Sequence, residues 1–241
     1  MSSLFNPQGF QIDQHQSGIA SPMAIDNAIP QAGLAYNIFY GQPVTIDATT
    51  GYIARVTATS DRIYGIFCGI EYATNNAQAL VSAKRYYAAN TTLPYTLAAY
   101  GSQSAWCRVF VYNTPDMLFR AQFSNSDAET PLFTNTPVGG QFNLDVTTTT
   151  VTQVDGTVFP VAGNATAISL LGSNTSSVSP NNIVTGISYA CLNPTAVTGG
   201  SVGQFIVVDI VREPRNSATD AFPIVRVRIN NSSLDAPRTS V

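Results

Sequence analysis

His15 is the only histidine in the 241-residue chain, and Asp13 lies two positions before it. A Ser-His-Asp triad needs an imidazole fixed by packing and oriented by a carboxylate. The surrounding segment has too few apolar residues to fix that geometry, so His15 is expected to be solvated, without a general-base role. The three cysteines, Cys68, Cys107 and Cys191, are widely and irregularly spaced and form no CxxC pair. Zinc sites usually gather three or four ligands at short spacing, which this pattern does not supply. Cys68 in IYGIFCGIEY and Cys107 in AWCRVFVY sit inside strand-like apolar runs. That placement predicts buried, reduced core thiols rather than a disulfide. Fourteen carboxylates are spread along the chain, among them Asp47, Glu71, Asp145 and Asp209. Two of them brought together in space would suffice for glycoside hydrolysis. Each adjoins a turn or a strand end, where solvated acids sit, and Trp106 is the single tryptophan able to stack on sugar. The chain carries no Walker loop, GxGxxG or EF-hand loop. The expectation is a protein that is not an enzyme, with no catalytic residues, no cofactor and no metal site.

Charge narrows the partners. Charged residues make up 10% of the chain, against about 25% in ordinary globular proteins, and Thr, Ser, Asn, Gln and Gly take their place. Hydrophobic residues reach 44% and the net charge is only -3, so the chain is expected to fold and to present a neutral, polar surface. Such a surface is cheap to desolvate against a partner. Coating DNA needs many cations to displace phosphate counterions. Here Lys84 is the only lysine and the arginines are scattered from Arg55 to Arg238, which excludes nucleic acid as a partner. No run approaches the ~18 apolar residues of a membrane span, and MSSLFNPQGFQIDQHQSG has neither the basic nor the apolar region of a signal peptide. No membrane partner is expected, and reduced cysteines fit synthesis in a bacterial cytoplasm. All but one of the eleven tyrosines lie in the N-terminal half, from Tyr36 to Tyr112. Strand propensity and core filling account for them, with a contact surface as the alternative.

The elements that must position these residues are strands. In WCRVFVY, Cys107, Val109 and Val111 fall on one face and Trp106, Arg108, Phe110 and Tyr112 on the other. LFRAQF sets Phe119, Ala121 and Phe123 against Leu118, Arg120 and Gln122, and IVRVRIN points Val225, Val227 and Ile229 inward with Arg226 and Arg228 outward. These are period-2 signatures of half-buried strands. IVTGISYACL reads as a strand, NPTAVTGGSVG as a turn region and QFIVVDIV as a long buried strand. Gly65 and Gly69 inside IYGIFCGIEY predict a bulge or close backbone approach. The fold class is therefore all-β, an antiparallel sandwich or barrel of jelly-roll-like form. Residues 34–241 are expected to form one β domain, in which 124–200, broken by prolines, glycines and a threonine run, is a loop-rich insertion. Within it TTTTVTQV suits a strand, NATAISLLGSN a short helix, and 173–182 a surface loop. Residues 1–33 hold only isolated apolar residues, Leu4, Phe5, Phe10, Ile12 and Ile19, between Gly and Pro. They read either as a loose terminus or as an extended arm whose apolar residues order only against a neighbouring subunit. On the arm reading, deleting residues 1–30 would leave a folded protein.

Taken in order, several segments resemble a family of tailed-phage virion proteins. They are Ser17-Gly18, the run from Ala35 to Val44 ending in Gly41-Gln42-Pro43-Val44, Gly51-Tyr52-Ile53, and Ile63-Tyr64-Gly65-Ile66-Phe67-Cys68-Gly69-Ile70-Glu71-Tyr72. Thr114-Pro115-Asp116 before Phe119-Arg120-Ala121-Gln122 follows. Val211-Arg212-Glu213-Pro214-Arg215-Asn216 and Val225-Arg226-Val227-Arg228-Ile229-Asn230 complete the set. The resemblance covers most of 17–123 and 203–234; residues 124–200 are longer and richer in Thr and Asn than the family pattern. It implies a capsid decoration (cement) protein on the outer surface of the virion, bound to the major capsid protein where capsomers meet. A homotrimer suits such junctions, since each further contact forms at high effective concentration. A tail component that binds a receptor or glycan is the alternative from another class.

Overall fold

The computed structural model describes residues 9–15, 21–30, 32–73, 81–93, 106–114, 116–125, 132–146, 150–152, 158–160, 188, 190–214 and 216–234. Every regular element among them is a strand. The N-terminal half holds Gln11–His15 (β1), Met23–Asp26 (β2), Ile38–Phe39 (β3), Pro43–Ile46 (β4), Ile53–Arg55 (β5), Gly65–Ala73 (β6), Val81–Lys84 (β7) and Tyr86–Tyr87 (β8). Then come Cys107–Tyr112 (β9), Met117–Gln122 (β10), Gln141–Leu144 (β11), Thr150–Thr152 (β12) and Val158–Pro160 (β13). Leu192–Ala196 (β14), Phe205–Ile210 (β15) and Ile224–Ile229 (β16) follow. Two six-stranded sheets dominate, the first ordered β1-β10-β16-β15-β11-β14, the second β2-β9-β6-β4-β5 with β7 also on β6. All their strand pairs are antiparallel. The protein is thus all-β, as the alternating patterns predict, and its paired sheets are consistent with a sandwich.

Two apolar cores follow from that alternation. The inner face of the first sheet supplies Phe119, Phe142, Leu192, Phe205, Val225 and Val227, and Val56, Ile63 and Ile66 from the other half meet them. The second sheet turns Val44, Ile53, Phe67, Ile70, Val109 and Val111 to its other side, under Ala28, Ile29, Leu34, Ile38 and Tyr87. Alternation gives β6 a place in both cores, Ile66 in the first and Phe67 in the second, and a bulge follows. Phe67 pairs with Val111 and Gly69 with Phe110, so Cys68 is an extra residue in β6. The insertion resets the pleat, keeping Ile70 and Tyr72 on the side of Phe67. At Gly65 a Cβ would lie 2.8 Å from Tyr112 O, so only glycine fits. Gln204, fully buried, ties the halves together: Nε2 donates to Ala58 O (3.0 Å) and Asp61 O (2.9 Å), and Oε1 accepts from Leu144 N (2.8 Å).

The structure corrects four expectations. Residues 9–15 and 21–30 are not an arm awaiting a neighbour, because β1 closes an edge of the first sheet and β2 an edge of the second. β1 sends Ile12 toward the first core and Phe10 lies just before the strand, too few inward residues to show a period. Residues 132–146 and 190–200 are not a separate lobe, since β11 and β14 lie within the first sheet; β12 pairs with β13, while 161–187, with the proposed helix and surface loop, lie outside the described residues. The turn expected from Asn193 instead begins with β14, an edge strand, where Pro194 needs no ladder donor. QFIVVDIV is not buried throughout: Val208 is 41% exposed on the outer side of β15.

Candidate functional site

The pleat of β9 sends Cys107, Val109 and Val111 into the second core and leaves Trp106, Arg108 and Phe110 on the opposite, open face. Register then assembles a surface around them. β2 sets Ala24 beside Phe110 and Asp26 beside Arg108, and β6 brings Glu71 to the other flank of Arg108. Arg108 Nε donates to Asp26 Oδ1 at 3.0 Å, and its guanidinium lies 6.0 Å from the Trp106 ring. Ala24, Asp26, Ala83 and Arg108 are exposed; Glu71, Trp106 and Phe110 are half-buried. An ion pair this open contributes at most about 1 kcal/mol to folding, so stability does not explain the face. Aromatic rings beside an arginine and two carboxylates make a surface able to stack on and hydrogen-bond to a partner.

Cations across this half lie on aromatic rings. Arg85 stacks 4.5 Å above Tyr40, Lys84 lies 5.8 Å from Tyr72, and Arg55 lies 4.6 Å from Tyr36. Near Arg85, burial pushes the Cys68 thiol up to about 11 and the Tyr112 phenol up to about 12. Cys68 is therefore a neutral thiol at physiological pH and a poor nucleophile. Arg55 differs from the others: it is 9% exposed, and burial pushes its guanidinium below the usual arginine range.

The first sheet pairs its charges differently. Asp13 receives hydrogen bonds from both Arg120 and Arg226; Arg120 also meets Glu213, and Arg226 meets Asp209 at 3.2 Å. Burial pushes the Asp13 carboxyl up, but the two arginines outweigh it and hold it below the usual carboxylate range.

Of the residues singled out from sequence as capsid or subunit contacts, the structure describes Phe10 and Ile12, and both pack into the first core. Phe10 is 1% exposed and stacks on Phe205 at 4.5 Å, and Ile12 is half-buried against that core. Leu4, Phe5 and Ile19 lie outside the described residues. His15 pairs through its backbone with Met117. Cys107 and Cys191 are buried free thiols, as expected, whereas Cys68 is half-buried. Sequence reasoning missed a buried polar cluster in which Ser124 Oγ donates to Asp145, with Cys191 alongside. Burial first, then the Asp145 charge, drives the Cys191 thiol far up, which makes it inert. Among the described residues no group of three His, Cys, Asp or Glu side chains is placed to hold a metal ion, and no helix is long and apolar enough to cross a membrane. No protein-family model matches the chain, and neither curated proteins nor solved structures match it.

Proposed function

We propose that the chain is a capsid decoration (cement) protein, bound to the outer surface of a tailed-phage head at junctions between major capsid proteins, where it stabilises the shell. The observation that carries this reading is the open face of the second sheet. Its backbone is held by strands on both sides, its ion pair is too exposed to serve folding, and its Trp, Phe and Arg are residue types enriched where proteins bind proteins. The ordered segments of the phage family supply the class of partner. In this reading the protein acts without catalysis, as a homotrimer favoured by the symmetry of coat junctions.

The test is reconstitution: purified protein is added to heads that lack it and the particles are imaged by electron cryo-microscopy. Hundreds of copies at coat junctions are expected, and Arg108→Glu should weaken binding by roughly tenfold or more while leaving the fold intact. Absence from the mature head sinks the proposal. A second reading is a tail module that binds a host glycan, favoured by the two aromatic residues Trp106 and Phe110 on one face with Asp26 and Glu71 beside it. It predicts a few to a few dozen copies per particle, located on the tail.

A further inference from the structure

Among the described residues, Arg55 alone has buried side-chain nitrogens, Nε and Nη1, that reach no acceptor. Alternation along β5 places it on the same side as Ile53, which is fully buried in the second core. The Tyr36 ring covers the guanidinium, 4.6 Å from Cζ, and Tyr36 Oη donates to Ile53 O at 3.4 Å, tying the ring to β5 itself. A ring satisfies the face of a guanidinium and leaves its in-plane N–H groups unanswered. Asp47, whose charge bears on Tyr36, commits Oδ1 to the amides of Thr49 and Thr50 and to the Thr50 hydroxyl. Arginine does not escape such a position by losing its proton, because it stays charged in proteins.

An inward-pointing charge on an edge strand has a simpler use, since it discourages edge-to-edge aggregation. β5 is an edge strand. That device works through a charge that reaches water, and it calls for neither near-complete burial nor a clamping ring. A guanidinium held flat by an aromatic ring, at the margin of a sheet and with donors to spare, is built to receive an acceptor.

We propose that Arg55 and Tyr36 form a receptor for a carboxylate. A carboxylate brings two oxygens in one plane, matching the planar donors of arginine, and carries the opposite charge. It arrives either as a small organic acid or as the acidic side chain of a neighbouring protein, and the two sources share one chemistry at the site.

The experiment uses the full chain labelled with 15N and follows the Arg55 Nε–Hε resonance. Sodium acetate is titrated against sodium chloride at equal ionic strength, and hexaglutamate is then titrated the same way. A saturable shift with acetate and none with chloride is expected, with half-saturation raised about tenfold or more in Tyr36→Leu. Half-saturation by hexaglutamate at a carboxylate concentration at least tenfold below that for acetate assigns the site to a protein ligand; similar values assign it to a small acid. Thermal unfolding gives a second readout. The wild-type midpoint should rise with acetate, while that of Arg55→Met should be flat in acetate and no lower than wild type in chloride. No saturable shift with either probe overturns the proposal, and so does an equal acetate response in Arg55→Met. The wild-type titration needs no variant, so it decides the question even if a substitution prevents folding.

Discussion

Asp13 stands between two arginines that face each other. Arg120 and Arg226 are direct cross-strand partners on β10 and β16, an arrangement that repels when nothing bridges it. The Asp13 side chain, only 6% exposed, receives a hydrogen bond from each. Asp13→Asn keeps the shape and removes the charge, leaving that repulsion in place, and should cost about 2 kcal/mol in urea unfolding at pH 7. The sign of the pH dependence follows from the lowered carboxyl. A carboxylate with a depressed folded pKa contributes its full stability above the unfolded value of about 4 and loses it as pH falls through the folded value. The gap between wild type and Asp13→Asn should therefore be constant from pH 7 to about pH 5 and close below about pH 4. A gap unchanged at pH 2 would rule out this account of the bridge.

At the scale of elements, β6 holds the second sheet in register through one extra residue. Inserting one residue after Gly69 reverses the pleat beyond it, so that Ile70 and Tyr72 leave the core and Glu71 enters it. Deleting Cys68, by contrast, removes only the extra residue and keeps Ile70 and Tyr72 inward. The expected loss on insertion exceeds about 5 kcal/mol, as much as many domains possess, whereas Cys68→Ser should stay within about 1 kcal/mol of wild type. Far-UV circular dichroism with urea titration separates the two. Sequence showed where strands such as β9, β10 and β16 lie and which way they face, because one buried side imposes alternation. It placed Gly65 and Gly69 at a strand irregularity, yet it did not reveal that the extra residue is Cys68, since that depends on the partner strand. It misjudged β14 and Val208 because a proline and an apolar run carry different meanings at an edge or on an outer face. Arg55 stands two residues after Ile53 in the sequence, the spacing of one strand face, but its lack of an acceptor is a property of the assembled core. The open face was half legible: Trp106, Arg108 and Phe110 share a parity, whereas Asp26 and Glu71 join them only through pairing.

For the whole molecule, the N-terminal segment belongs to both cores. Removing residues 1–30 strips β1 and β2 from the sheet edges and takes Phe10 from the first core and Ile29 from the second. Truncating one buried phenylalanine alone costs about 3–5 kcal/mol, so the shortened chain should fail to fold, contrary to the expectation for a detachable arm. Size-exclusion chromatography with circular dichroism checks this, and a folded truncation would return the arm to consideration. Loss of capsid binding in such a variant would report unfolding rather than a missing contact, which is why surface substitutions such as Arg108→Glu are the better probe.

The bridge at Asp13 also sets a timetable. Its partners lie 107 and 213 residues further along the chain, so on a ribosome β1 emerges long before either arginine exists. The edge it closes cannot form until β10 has been made, nor can the bridge be completed until β16 follows. Pairings this remote fold slowly and leave unpaired strands exposed meanwhile. Newly made chains should therefore be most prone to aggregate early in synthesis, and slowing translation, which lengthens the wait for β10 and β16, should lower the yield of soluble protein.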